Sequence, residues 1–320
     1  MRLNKKLLLP SLAAGLALSL AGCGGDGGEG GEGGGFTSAC QFGEVFTTDG
    51  RIEALNLELV EDPGVFILYN VSFTWQDEVY QENAATYDSI TETLLSPLDE
   101  EKMAELNGLV DVQGQPAAKV AEDYLAEVGL DSGNGELDGV SLAVGSKDFT
   151  ENILLGEMYS QALENAGAQV DNQVNLGGTS VAREALLAGE IDVYPEYNGT
   201  GWTVHLGNED PSQDPQELYQ MTADQDLQDN GIQWVGRSPF NDTYGFAANG
   251  DLAQEAGPFD LQGMADYLEQ TPDATVCMET EFPNRPDGLI LFEEATGYEV
   301  PKSQIETLET GLIYTQTAGS

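Results

Sequence analysis

From residue 140 onward the chain alternates short apolar runs with amphipathic stretches, and this alternation narrows the possible folds more than any other feature. The run 140–144 is apolar. Leu155, Met158, Ala162 and Ala166 then recur at helical spacing, with Asp148 or Thr150 placed to cap the helix and Gly167 to stop it. A second strand is expected over 169–175. The turn Gly177-Gly178-Thr179-Ser180 leads into a helix ending at Gly189, and 191–194 reads as a third strand. Repeated strand, helix, strand units specify a mostly parallel sheet with helices on its faces. Ligands of such sheets sit beyond the carboxyl ends of the strands. That rule gathers Gly145-Ser146-Lys147, Gly177-Gly178-Thr179 and the stretch 194–200 at one rim.

The style continues with strands near 234–236, 245–248 and 275–278 and helices near 261–268 and 288–295. Upstream, 57–60 reads as a strand, and 84–95, 100–107 and 117–128 as helices. Gly129 ends the last of these, and 130–135 is a turn-rich joint.

At the start, Arg2, Lys5 and Lys6 precede an apolar run over 7–20 and then Leu20-Ala21-Gly22-Cys23. The run is too short to cross ~30 Å of hydrocarbon comfortably. Residues 1–22 are therefore expected to be a lipoprotein signal peptide, cleaved before Cys23, with lipid on the Cys23 sulfur. Residues 24–35 hold only Gly, Asp and Glu, so 23–38 reads as an anchor and flexible tether. The folded part, 39–320, is then expected outside the cytoplasm, anchored to the membrane by lipid.

Fifty-six acids against 11 bases give a net charge of -45. Such a surface repels nucleic acid and points to a salt-rich setting. Three of the bases lie in the leader, so the eight that remain carry more weight where they fall. With Cys23 assigned to lipid, Cys40 and Cys277 form an even pair in an oxidising compartment, and a disulfide is expected. Two buried thiols or a metal site are the alternatives. His205 is the sole histidine, which leaves a metal site poorly supplied, and no metal or cofactor is expected.

The motifs GSKDFTE (145–151), LGGT (176–179), GEIDVYPEYNGTGW (189–202), FNDTYG (240–245) and ETEFPNRPDGL (279–289), with FGEVFTTDGRI (42–52) and LVEDPGVFILYN (59–70), run through most of 40–320. In this combination the chain resembles the glycine betaine, choline and carnitine binding proteins of osmoprotectant ABC importers. The order differs from the family's, because the segment that ends its relatives comes first here. The resemblance therefore implies an α/β, two-lobed periplasmic-binding-protein-like fold of type II, circularly permuted, with the old termini fused near 131–137. A truncated tandem protein is the alternative. One lobe would hold about 66–241, and the other about 242–320 together with 39–65.

A quaternary ammonium offers no hydrogen-bond donor, so it is held by the negative faces of aromatic rings. Each ring supplies ~0.5 to 2 kcal/mol when desolvated, so several are needed for useful affinity. The family's box falls on Tyr197, Tyr244, Tyr69 and Phe46, the last where relatives more often have tyrosine. Lys147, Thr200 and Arg285 match its positions for a ligand carboxylate. A solvated loop lysine is the alternative for Lys147, and an ion pair with Asp287 the alternative for Arg285. Asp242 and Glu196 could face the ammonium, with turn or capping roles equally open, and Tyr194 and Trp202 are expected in the core or at the rim.

The resemblance thus implies a binding protein, not an enzyme, that passes a small quaternary ammonium ligand to an ABC permease and its ATPase. A ligand-sensing domain is one alternative. An exported carboxylate-dependent hydrolase is the other, since one histidine and no Gly-x-Ser-x-Gly elbow leave little for a Ser-His-Asp mechanism.

Overall fold

Ten strands build two five-stranded sheets in the computed structural model, which describes residues 40–133 and 135–319. The expected signal, Cys23 and the tether lie outside the described residues. The strands are β1 (Phe42–Phe46), β2 (Leu57–Leu59), β3 (Val71–Gln76), β4 (Ser141–Gly145), β5 (Gln169–Gln173), β6 (Val193–Tyr197), β7 (Ile232–Val235), β8 (Tyr244–Asn249), β9 (Val276–Met278) and β10 (Ile305–Thr307). One sheet runs β10-β9-β1-β8-β2 and the other β5-β4-β6-β3-β7. In the second, β4 pairs in parallel with β5 and β6, as the alternating pattern requires. Its remaining strand pairs, β3 with β6 and with β7, are antiparallel, so the sheet is mixed.

The chain crosses between the sheets twice, once between β2 and β3 and once between β7 and β8. The two crossings are tied together. Tyr69 N donates to Asn241 Oδ1 at 2.6 Å, Thr243 Oγ1 donates to Ile67 O at 2.8 Å, and Asp242 N donates to Tyr69 O at 3.3 Å.

The first sheet takes β1 and β2 from before residue 60 and β8 to β10 from after 243. The disulfide joins Cys40 to Cys277, with Cα atoms 5.7 Å apart, where β1 lies parallel to β9. Helices Asp77–Leu95, Glu100–Asp111 and Ala117–Val128 share one buried apolar cluster with helix Thr150–Asn165. Phe73 of β3 stacks on Tyr159 at 3.8 Å between centroids, and Trp75 stacks on Tyr87 at 4.2 Å.

Several boundaries differ from the sequence reading. Neither Asp148 nor Thr150 caps the helix Thr150–Asn165; Phe149 occupies the N-cap position without a side-chain bond. Thr150 Oγ1 instead donates to Asp111 Oδ1 at 2.6 Å. The third strand sits later than 191–194, at β6, because Ile191 drops into the core as β6 begins its pairing with β3. The helix expected from 84 begins at Asp77 and is interrupted at Asn83, whose φ and ψ of -141° and 32° leave the helical region.

Candidate functional site

β6 ends at Tyr197, and the short turn Asn198–Thr200 carries the chain back under the crossing that holds Tyr69. Gly199 permits that approach. A Cβ there would lie 2.5 Å from Leu68 O, closer than any side chain tolerates, and Asn198 N donates to Asn70 O at 2.9 Å. Tyr244 opens β8 directly after the second crossing, opposite Phe46 at the end of β1. Thus strand ends from both sheets and both crossings converge on one spot.

A small cavity lies there. All eight residues anticipated from sequence line it: Phe46, Tyr69, Tyr197 and Tyr244, with Lys147, Thr200, Asp242 and Arg285. Phe149 and Thr179 line it too. Five rings close a circuit around it. Tyr69 meets Tyr244 at 5.5 Å and Tyr197 at 6.3 Å, both edge-on. Phe46 lies 5.1 Å from Tyr244, stacks on Phe149 at 5.2 Å, and Phe149 stacks on Tyr197 at 6.0 Å. Such a ring of π faces attracts a cation that brings no donors of its own.

Two cations share the cavity wall. Lys147 follows β4, its backbone N–H held by Asn152 Oδ1 at 2.7 Å. Its ammonium is buried 2.6 Å from Glu196 Oε1 and 5.2 Å from the Tyr197 centroid. Burial pulls the Lys147 pKa down, and Glu196 opposes that pull. Burial likewise disfavours the Glu196 anion, but Lys147 and His205, the latter at 2.8 Å, outweigh it and hold the carboxyl below its ordinary range. Glu196 also accepts from the Tyr194 hydroxyl at 2.8 Å. It therefore serves the lysine rather than facing the cavity, and Tyr194 is wholly buried behind it. Trp202 is half-buried at the rim, its indole N–H donating to Glu209 O at 3.1 Å.

Arg285 pairs with Asp287 through two bonds, Nε to Oδ1 at 2.8 Å and Nη2 to Oδ2 at 2.7 Å, while Nη1 reaches Thr179 Oγ1 at 3.3 Å. Its guanidinium carbon lies 5.5 Å from the Tyr244 centroid. The two readings of Arg285 thus coexist: it is ion-paired with Asp287 and it lines the cavity. Asp242 faces Thr48 and Glu151. Burial and the neighbouring Glu151 raise its pKa well above the carboxylate range. Behind Tyr244, burial and Glu279 do the same to Glu44.

Sequence reading missed Phe149 and Thr179 as lining residues, although both stand inside quoted motifs, GSKDFTE and LGGT. A ring between a lysine and a helix start reads equally well as core. Only the spacing of Phe46 and Tyr197 across the cavity gives it a place in the circuit.

A family model described as the substrate binding domain of ABC-type glycine betaine transport system matches residues 37–127 and 140–318. The chain is similar to the glycine betaine-binding protein YehZ of Escherichia coli, 34% identical over 52% of this chain and 55% of that protein. It is also similar to a glycine-betaine-binding protein of Pseudomonas aeruginosa, 31% identical over 55% of this chain and 57% of that protein. The chain thus spans about half the length of the curated relatives it matches. A solved structure of apo YehZ from Escherichia coli is 30% identical, covers 56% of this chain and 66% of its own, and superposes with a TM-score of 0.38.

Proposed function

The chain belongs to the family of substrate-binding domains of ABC-type glycine betaine transport systems, and from that membership we propose that its aromatic cavity captures a quaternary ammonium osmoprotectant, glycine betaine first among them. The closed circuit of five rings beside two buried cations carries this reading. The rings take the trimethylammonium. Lys147, Thr200 and Arg285 take the carboxylate, through charge-assisted bonds of the kind that run about twice as strong as neutral ones. Asp242 lines the floor. The protein binds its ligand without transforming it, acts outside the cytoplasm on a lipid anchor at Cys23, and hands the ligand to an ABC permease and its ATPase. Calorimetric titration with glycine betaine, choline and carnitine in high salt, with recovery of unaltered ligand, tests this. Absence of heat with all three, or recovery of a cleaved product, would overturn it.

We further read the order of segments as a circular permutation of the family's fold, with lobes of about 66–241 and of 242–320 plus 39–65. The two separate blocks of family match support that reading. So does the sheet that combines β1 and β2 with β8, β9 and β10.

A further inference from the structure

Thr48 Oγ1 lies 2.6 Å from Glu151 Oε2 and 2.6 Å from Asp242 Oδ1. Each separation is that of an O–H···O bond, and each needs a hydrogen between the oxygens. The threonine hydroxyl brings one. The second must come from a carboxyl group. Glu151 already receives the Tyr197 hydroxyl at 2.9 Å and Asn107 Nδ2 at 3.0 Å, so it is the natural anion of the set. Asp242 receives only the long Thr48 N–H at 3.3 Å besides Thr48 Oγ1, and is the natural holder of the extra proton. Acceptors outnumber hydrogens nearby as well. Asn107, 3% exposed, lines the same small cavity, and its buried Oδ1 has no donor.

No cation relieves this shortage among the described residues. From the Thr48 loop, Asp49 and Arg51 face the cluster, but Arg51 is spent on Asp49 and Asp111. Asp111 and Asn107 face it from helix Glu100–Asp111, and Tyr197 from β6. Tyr314 approaches from helix Thr310–Ala318, and Lys147 is held by Glu196. The cluster also spans the molecule. Thr48 follows β1 of one sheet, Glu151 begins the helix after β4 of the other, and Asp242 sits on the crossing between them.

We propose that Glu151, Thr48 and Asp242 form a proton-binding site joining the two sheet layers, so that closing them over a ligand takes up one proton. The inference rests on the cavity being the ligand site that these layers close. When the layers part, water reaches both carboxyls and both ionise at neutral pH. When they meet, the geometry needs one proton back. Burial and mutual repulsion of the two carboxyls act in the same direction. Affinity should then fall with rising pH, by up to about tenfold per pH unit while a full proton is taken up.

The test is calorimetric titration with glycine betaine at neutral pH in buffers of differing ionisation enthalpy. Betaine is chosen because a net cation such as choline would itself drive the proton from Asp242. The wild type should take up close to one proton per ligand, and both Asp242→Asn and Glu151→Gln should take up close to none, whatever their affinities. Full uptake in both variants, or none in the wild type, overturns the proposal. Infrared difference spectra of the bound minus the unliganded protein keep the two readings apart. With betaine, or with carnitine if betaine gives no heat, a protonated-carboxyl C=O band that appears on binding at neutral pH, survives Glu44→Gln and is absent in Asp242→Asn supports the proton site whichever zwitterion is held. No such band in the wild type, or the same band in Asp242→Asn, overturns the site even if the ligand binds.

Discussion

The hydroxyl of Tyr69 donates to Oδ2 of Asp287 at 2.7 Å, and so ties a ring of the aromatic circuit to the carboxylate that holds Arg285. The two ends of the cavity are thereby positioned by one group. Removing its charge should cost far more than removing the phenol. Asp287→Asn leaves the buried Arg285 guanidinium with only the half-exposed Glu281, 3.5 Å away, for compensation, a loss of up to about 3–5 kcal/mol. Tyr69→Phe leaves Asp287 with both arginine bonds and should cost about 1 kcal/mol. Chemical denaturation of the two variants measures the difference, and equal losses would show that Asp287 does not neutralise Arg285.

The cation and carboxylate halves of the cavity should separate by ligand. Tyr197→Ala or Tyr244→Ala should weaken betaine and choline alike, by about 1–2 kcal/mol per ring, because both ligands present the same trimethylammonium. Arg285→Ala should cost betaine more than choline, since only betaine brings a carboxylate for a charge-assisted contact. Titrations of both ligands against the three variants decide it. Equal effects on both ligands in every variant would remove the assignment of Arg285 to the carboxylate.

Phe149 is the ring that the sequence did not yield, and it should matter as much as those it did. It stacks on both Phe46 and Tyr197, closing the circuit on one side. Phe149→Ala should weaken betaine by about 1 kcal/mol, while Phe149→Tyr should retain most of the affinity. If Phe149→Ala binds as the wild type does, the ring is part of the wall and not of the box.

Much of the cavity was legible because the motifs around it resemble a known family, whose aromatic box and carboxylate positions fall on these residues. The scarcity of bases then added weight to Lys147 and Arg285. The parallel core β5-β4-β6 followed from periodicity alone. β3 did not. Its sequence VSFTWQ is buried along nearly its whole length, and a strand covered on both faces loses the alternation that reveals strands. Nor could local pattern place the partnership of β1 with β8 and β9, which joins residues about 200 positions apart. The Glu151, Thr48 and Asp242 cluster was illegible for the same reason. Each member is an ordinary capping or turn residue until the crossings bring them together.

Stability should rise as the solution is made mildly acidic. Burial and Glu279 raise the Glu44 pKa. Near neutrality the folded state then binds more protons than the unfolded chain, so unfolding free energy increases as pH falls toward the ordinary carboxylate value. Glu196 has the opposite sign. Its pKa is depressed, so its contribution is present above the ordinary value of 4.5 and is lost as pH falls below it. Denaturation at fixed high salt should show a rise from pH 7 to about 5 and a decline below about 4. Glu44→Gln should flatten the upper limb, and an unchanged upper limb would show that Glu44 titrates normally.

If the proposed permutation is right, placing 140–319 ahead of 40–128 should preserve both the fold and the cavity. Cys40 N lies 3.5 Å from Gln316 O, so the end of helix Thr310–Ala318 and the start of β1 are already neighbours. A chain running 140–319, then a short glycine linker, then 40–128 would keep every strand of both sheets and open only the turn-rich joint near 130–139. Opening such a joint changes loop entropy modestly, by about 0.6 kcal/mol for each doubling of loop length. The Cys40 to Cys277 bond would then close a much shorter loop than the present separation of 237 residues. Its idealised stabilisation shrinks accordingly, by about 1 kcal/mol. The reordered protein should therefore fold cooperatively, bind betaine with the wild-type affinity, and lose only a little stability in urea. Failure to fold in oxidising buffer, or folding with the cavity abolished, would mean that residues 40–128 and 140–319 do not form one interrupted domain.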